Sequence, residues 1–246
     1  MNYRCLVQYD GTNYEGWQKQ NHTEETIQGK LEKAVEKITG EKVNVIGAGR
    51  TDSGVHASGQ RANFHLQKEK NPFVLERELN EILPDTINIC EMEKTEENFH
   101  SRFDAMEKEY IYRIRTDFHK NVFDRRFVWQ YGKTLDAAAM KEGAARFIGT
   151  FDFTSFCGNK RMKKSKVRTI YSLDVKEMEG ELHLVFRGDG FLQGMVRIIT
   201  GTLVEIGEGK KKPEEIPLIF KALNREAAGF TAPPQGLTLA FVRYKK

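Results

Sequence analysis

The sequence predicts an α+β fold built of two halves. Hydrophobic residues make up 39% of the 246 residues and aromatic residues 11%, which is the composition of a globular chain and not of a disordered one. Segments that alternate between polar and apolar residues, as strands do, stand between segments with apolar residues at helical spacing. A chain of this length forms one large domain or two small ones.

The first half is predicted to span residues 1–105 and has six elements. Its predicted strands are residues 3–9, 43–46, 60–66 and 87–92. A first helix over 27–38 has Thr23 as its predicted cap and Gly40 at its end. Pro72 opens a second helix, which Pro84 stops. The order strand, helix, strand, strand, helix, strand is that of a split β-α-β unit, the ferredoxin-like arrangement.

The second half, residues 106–246, has a similar but more decorated pattern, and no Ser/Pro-rich linker precedes it. Its predicted strands are residues 109–116, 126–131, 169–175, 181–187 and 237–244. Its predicted helices are residues 135–148, 191–206 and 213–223, the second of them strongly apolar. The pattern leaves open whether the two halves share one sheet.

Composition excludes several classes of protein. No apolar segment reaches the ~20 residues that a membrane helix needs, and the first residues lack a signal-peptide apolar stretch. Cys5, Cys90 and Cys157 stand far apart, which argues against a disulfide framework or a zinc ribbon and favours a cytoplasmic protein. The histidines show no paired spacing, so we predict no metal site. A net charge of +4 is too small alone to indicate a nucleic-acid partner.

A glycine-rich segment between two predicted strands is the first candidate site. Residues 47–59 contain four glycines, which allow tight turns, and gather Arg50, Asp52 and His56 within seven positions. The segment lacks the Gly-Lys-Ser/Thr of a P-loop, and no apolar strand leads into Asp52 as in aspartic proteases. An adjacent Arg keeps a carboxylate ionised, which suits a nucleophile or base. The alternative is a turn in which Asp52 caps local N–H groups.

Two further segments carry candidate side chains. On a strand, Tyr110 and Tyr112 share one face, either as ordinary aromatic packing or as a platform for a flat ligand such as a base. Arg197 lies beside the apolar face of the predicted helix 191–206, where a buried guanidinium needs a partner, most naturally a carboxylate. A purely structural ion pair is the alternative for Arg197.

A basic cluster lies directly before the predicted strand 169–175. Its members are Lys160, Arg161, Lys163, Lys164, Lys166 and Arg168. A charge run is usually a solvated loop, but this one has a single sign in a nearly balanced chain. Such a concentration of positive charge suits binding to a phosphate backbone.

Five motifs, which follow one another along the chain in the order typical of the family, together resemble the tRNA pseudouridine synthase A (TruA) family along nearly the whole chain. The most specific is Gly-Arg-Thr-Asp-Ser-Gly-Val-His-Ala at 49–57, where the family pattern has Ala in place of Ser53. The others are residues 9–20, 99–103 with 108–112, 190–197 and 232–239. A further departure is Gln193-Gly194, which stands before Met195 where the family has a bulkier pair.

The resemblance implies a fold, a partner and a reaction. The fold is two ferredoxin-like halves that form one continuous mixed or antiparallel sheet, with helices on one side and a central catalytic cleft. The partners are tRNA and a second copy of the chain in a homodimer, with no membrane, no metal and no cofactor. The reaction is isomerisation of uridine to pseudouridine on the 3′ side of the anticodon stem-loop, at tRNA positions 38–40.

The resemblance also implies roles for individual residues. Asp52 matches the catalytic Asp, which attacks either ribose C1′ or uracil C6. Tyr110 matches a Tyr that stacks on the uracil, and Arg50 an Arg that holds the flipped nucleotide. Arg197 matches an Arg that pairs with the catalytic carboxylate, and Leu237 a Leu that lines the pocket.

Two other functions compete with an RNA-modifying enzyme. A tRNA-binding or chaperone protein of the same fold would tolerate Asp52→Asn, but the joint presence of Asp52, Tyr110 and Arg197 favours an enzyme. A small-molecule enzyme such as a hydrolase would have no use for the lysine-rich cluster.

Overall fold

The computed structural model describes residues 1–245 and confirms the α+β class. The strands, numbered in chain order, are β1 Asn2–Tyr9, β2 Ile46–Gly47, β3 His56–His65, β4 Ile87–Thr95, β5 Ala105–Arg115, β6 Trp129–Gln130, β7 Gly149–Asp152, β8 Val167–Met178, β9 Glu181–Gly188 and β10 Leu237–Tyr244. The α-helices are α1 Ile27–Thr39, α2 Pro72–Ile82, α3 Ala137–Ala145, α4 Met195–Gly207 and α5 Ile216–Ala222.

The chain forms two compact units. The first unit contains Met1–Met106 and the segment from Leu239 onward, and the second contains Glu107–Thr238. The predicted halves differ from these units at the C-terminus, because most of β10 belongs to the first unit. There β10 lies beside β3, so closely that a Cβ on Gly59 would be 2.0 Å from the Ala240 carbonyl oxygen.

In the first unit the strands follow the order β4-β1-β3-β10, and β2 pairs with β3. β1 is antiparallel to both β3 and β4. Helix α1 begins after Thr26, whose side chain accepts a hydrogen bond from the Gly29 amide, so the predicted cap Thr23 was wrong. Gly40 ends the helix as predicted, in the left-handed region with φ 74°.

In the second unit the strands follow the order β5-β9-β8-β7, with antiparallel neighbours. The short strand β6 pairs with β5 in parallel, which makes this sheet mixed. Tyr110, Tyr112 and Ile114 of β5 are buried, which confirms the predicted shared face. Strand β7 was not predicted, since its four residues are too few for a clear alternation.

Three predicted elements are shorter than their patterns suggested. The strand predicted at 43–46 is only Ile46–Gly47, and that at 126–131 is only Trp129–Gln130. The helix predicted at 213–223 is a 3₁₀ turn at Pro213–Glu215 followed by α5. Within residues 1–245, no helix combines the length and the apolar character that crossing a membrane requires.

Candidate active site

Asp52 lies in the loop between β2 and β3, called the Asp52 loop below (residues 47–56). Its carboxylate is half-buried, whereas Arg50 is exposed and Thr51 is buried between them. Gln60 of β3 fixes the first part of the loop, because its side chain donates to the Gly49 carbonyl at 2.7 Å and accepts from the Gly49 amide at 3.3 Å. The loop itself turns on a hydrogen bond from the Val55 amide to the Asp52 carbonyl at 3.2 Å.

The second part of the Asp52 loop packs against the turn that follows β1. A Cβ on Gly11 would be 2.0 Å from the Val55 carbonyl oxygen, so no other residue fits there without movement of the backbone. The Gly11 amide donates to Nδ1 of the buried His56 at 3.0 Å, and the same nitrogen is 3.3 Å from Asp10 Oδ1. His56 therefore joins the loop to the end of β1, which is a structural task.

Tyr110, Arg197 and Leu237 lie in the second unit. Tyr110 is 6% exposed, and its ring meets the ring of Phe191 edge to face with centroids 5.2 Å apart. Leu237, the first residue of β10, is 5% exposed. Aromatic pairs of this geometry hold a ring in one orientation.

Arg197 of α4 holds the segment that leads into β10. Its Nε donates to the Ala232 carbonyl at 2.8 Å, and the Ala232 amide donates to the Arg197 carbonyl at 3.0 Å. The Tyr112 hydroxyl donates to the Pro233 carbonyl at 2.7 Å, and a Cβ on Gly236 would be 2.7 Å from the Tyr112 ring. Burial raises the pKa of Tyr112, although the nearby Arg197 charge partly opposes this. Strand β5, helix α4 and residues 232–237 thus form one hydrogen-bonded group.

The start of α4 explains the unusual Gln193-Gly194. The predicted helix at 191–206 begins only at Met195, because Gly194 adopts the left-handed region with φ 70°. The Gln193 carbonyl accepts a hydrogen bond from the Gly158 amide at 2.8 Å. The local contacts here are therefore made by the backbone and do not need a bulky side chain.

The basic cluster lies in the loop before β8 and at the start of that strand. Lys160, Arg161, Lys163 and Lys164 are exposed, and Lys166 and Arg168 are half-buried. Lys160 is 3.2 Å from Glu226, whereas Arg168 folds back to donate to the Ser165 and Val167 carbonyls. Across residues 1–245, no group of three or more His, Cys, Asp or Glu side chains could hold a metal ion.

A family model described as tRNA pseudouridine synthase matches residues 5–104 and 144–245. The chain belongs to this family. Its members isomerise uridine in tRNA, so the chain is an isomerase that acts on tRNA. Asp52, Arg50, Arg197 and Leu237 lie within the matched residues, whereas Tyr110 lies in the unmatched stretch between them.

Individual relatives match the chain over nearly their full length. The chain is 45% identical to tRNA pseudouridine synthase A of Bacillus pumilus, over 99% of each chain. It is 44% identical to tRNA pseudouridine synthase A 1 of one strain of Bacillus cereus, over 98% of each chain. It is 39% identical to tRNA pseudouridine synthase A 2 of the same strain, over 99% of each chain.

Sequence reasoning missed a side-chain contact that holds the Asp52 loop. Tyr9 and Thr51 are both buried and meet through their hydroxyl groups. Tyr9 ends β1 and Thr51 precedes Asp52, 42 positions later. Neither periodicity nor charge could reveal this contact, although both residues fall inside motifs that the family resemblance had marked.

Proposed function

We propose that this protein converts uridine to pseudouridine on the 3′ side of the anticodon stem-loop of tRNA, with Asp52 as the nucleophile. The observation that carries the role of Asp52 is its position in a loop whose neighbouring residues are held by hydrogen bonds, while its own side chain is half-buried. A positioned carboxylate next to an exposed Arg is suited to attack on a charged nucleotide.

The reaction exchanges one bond of the ribose for another. The C1′–N1 bond breaks, the uracil turns, and a C1′–C5 bond forms; the hydrogen at C5 leaves as a proton and N1 gains one. Asp52 forms a transient covalent bond, either to C1′ of the ribose as the C1′–N1 bond breaks or to C6 of the uracil. That bond breaks again when the C1′–C5 bond forms or before the product leaves, so the Asp52 carboxylate is regenerated. Substrate and product are isomers, so the chemistry requires no oxidant, reductant or group donor, and we propose no metal or cofactor.

Four further residues complete the proposed site. Tyr110 stacks on the uracil that has left the RNA helix, a role supported by its fixed, buried ring. Arg197 pairs with the Asp52 carboxylate, Arg50 holds the flipped nucleotide, and Leu237 lines the pocket. These roles require the two units to form a central cleft across one continuous sheet with helices on one side, each unit being ferredoxin-like, and we propose that arrangement.

The basic cluster is proposed to bind the phosphate backbone of tRNA without reading its sequence. Lys163 and Lys164 support this role best, since both are exposed. Contacts to phosphates position an RNA but carry no base specificity, which suits an enzyme that accepts many tRNAs.

A homodimer in the cytoplasm is the proposed state of the protein. Support for the dimer comes from three highly exposed apolar side chains between β5 and β6: Phe118 at 82%, Val122 at 60% and Phe123 at 93%. Exposed apolar groups of this kind mark contact surfaces. Wild type should sediment with the mass of a dimer, and Phe118→Ser/Phe123→Ser should sediment with the mass of a monomer. A monomeric wild type would refute the dimer.

The test of the function uses unmodified tRNA transcripts that carry tritium at uracil C5. Pseudouridine formation releases this tritium to water. Wild type should release it, and Asp52→Asn should lower the rate by at least about 10³-fold, because the amide cannot act as the nucleophile. Asp85→Asn, at an exposed site before β4, is the matched control and should keep full activity. Tight tRNA binding without release by wild type would refute the proposal for those tRNAs.

A further inference from the structure

The turn that follows β1 holds the Asp52 loop on both sides of Asp52. Tyr9, the last residue of β1, pairs with Ala57 of β3 across a register shift, which places it beside the end of the loop. The chain then runs through Tyr14 to Trp17 and remains in contact with the loop. We call residues 9–17 the N-terminal turn.

On the N-terminal side of Asp52, the N-terminal turn contacts Thr51 at two atoms. The Tyr9 hydroxyl and Thr51 Oγ1 are 2.8 Å apart, and both residues are less than a tenth exposed. The Trp17 amide donates to the Thr51 carbonyl at 3.1 Å. The side chain and the backbone of the residue before Asp52 are therefore both fixed.

On the C-terminal side of Asp52, a single carbonyl group receives two hydrogen bonds. The Tyr14 carbonyl accepts from Ser53 Oγ at 3.1 Å and from the Gly54 amide at 3.2 Å. The N-terminal turn thus bridges the residues on either side of Asp52. A displacement of this turn would move the Asp52 backbone with it.

We propose that Tyr9 and Thr51 are positioning residues, whose hydroxyl–hydroxyl hydrogen bond fixes the Asp52 backbone for attack. This inference rests on the proposed function, since it gives the bond a role only if Asp52 is the nucleophile. Neither hydroxyl is assigned contact with the RNA; both act through the placement of Asp52.

The burial of the pair makes the hydrogen bond specific. Burial raises the pKa of Tyr9, although its hydrogen bonds with Thr51 and Gln60 partly oppose this, so both hydroxyl groups of the pair are protonated at neutral pH and either one can be the donor. A buried hydroxyl without a partner is unfavourable, so the pair has a strong preference for one geometry. A nucleophile displaced by about 1 Å reacts up to ~100-fold more slowly, even when substrate binding is unchanged.

The test compares Tyr9→Phe, Thr51→Val and the double variant by steady-state tritium release. Each single variant should lower kcat by about tenfold or more, with KM and tRNA affinity within about twofold of wild type. The double variant should be no slower than the slower single one, because both substitutions remove the same bond. Thr51→Ser keeps the hydroxyl and should retain kcat within about threefold of wild type.

Tyr3→Phe is the matched control. Tyr3 lies on the same strand, is fully buried, and its hydroxyl donates to the Lys70 carbonyl at 2.9 Å and accepts from the Lys70 amide at 2.8 Å. This variant loses a comparable buried hydroxyl away from the Asp52 loop, so it should lower stability but not kcat. An equal loss of kcat in Tyr3→Phe, or additive losses in the double variant, would overturn the proposal.

Amide hydrogen exchange of the peptide that covers residues 47–57 supplies a readout without RNA. Tyr9→Phe and Thr51→Val should speed exchange in this peptide by at least about fivefold, whereas Tyr3→Phe should leave it unchanged. Unchanged exchange in Tyr9→Phe would overturn the positioning role whatever the activity of the enzyme. Failure of the proposed function would be seen separately in the tritium assay. Wild type would release no tritium, or Asp52→Asn would release it as fast as wild type.

Discussion

Gly16 of the N-terminal turn should not tolerate replacement by a residue with a side chain. Its φ is +87°, a conformation that residues with a side chain rarely adopt, and a Cβ at this position would be 2.6 Å from the Thr51 carbonyl oxygen. The Gly16 backbone fixes the position of the Cβ, and the oxygen that it meets belongs to the Thr51 backbone, so no rotation of a side chain can relieve the contact. Gly16→Ala must therefore move the segment before Asp52.

Gly40 offers a control for the conformational part of this effect. Its φ is +74°, and a Cβ there would have no atom within 4 Å. Gly40→Ala should therefore show only the cost of the left-handed region, about 1–2 kcal/mol. Gly16→Ala adds the displacement of Thr51, and we expect a total loss of about 2–4 kcal/mol in the free energy of unfolding.

The two variants should differ more in activity than in stability. Urea unfolding measures the stability, and tritium release from labelled tRNA measures the activity under conditions where both variants are folded. Gly16→Ala should lower kcat by about tenfold or more, whereas Gly40→Ala should keep the wild-type kcat. Equal stability losses together with an unchanged kcat in Gly16→Ala would refute the inference that this contact holds Asp52 in place.

Two further predictions concern charged groups of the second unit. Lys163→Gln/Lys164→Gln should weaken tRNA binding about tenfold and reduce the slope of log Kd against log salt concentration by about two, as measured by filter binding. Lys210→Gln/Lys211→Gln is the control pair, and equal effects in both pairs would contradict a localised phosphate contact. The side chain of Glu181 is 6% exposed, accepts a hydrogen bond from Arg113 and lies 2.6 Å from Arg115 Nη2. Glu181→Gln should therefore lower the free energy of unfolding by about 3 kcal/mol, as measured with urea. A loss no larger than that of the exposed Glu179→Gln would contradict this.

Local signals predicted the elements well where one residue type decides the conformation. Gly40 ends α1 and Pro72 opens α2 as expected, because a left-handed C-cap and a proline in the first turn are set by the residue itself. The alternation of Tyr110, Tyr112 and Ile114 likewise gave the buried face of β5. The N-cap of α1 was misplaced because Thr23 and Thr26 are both able to cap, and only the path of the chain selects Thr26.

Contacts between distant segments could not be predicted in the same way. Tyr9 meets Thr51, and Arg197 meets Ala232, only because strands and helices bring them together. The interpretation of Arg197 from sequence expected a carboxylate partner, and the structure adds a backbone carbonyl, which is invisible in a pattern of side chains. The motifs marked which segments matter, but the physical link between them required coordinates.

Gly194 gives a last case in which structure changes the meaning of a sequence feature. Its φ of +70° favours glycine, yet the nearest atoms to a Cβ would be Ile198 Cδ1 at 3.5 Å and the Gly158 backbone at 3.9 Å, which are ordinary contact distances. Gly194→Ala should therefore lose about 1–2 kcal/mol from backbone strain alone, without displacement of α4 or of Arg197. Urea unfolding measures the loss of stability, and kcat reports whether Arg197 has moved. An unchanged kcat is expected; a reduced kcat would contradict the prediction and would mean that the backbone turn at Gly194 sets the position of Arg197.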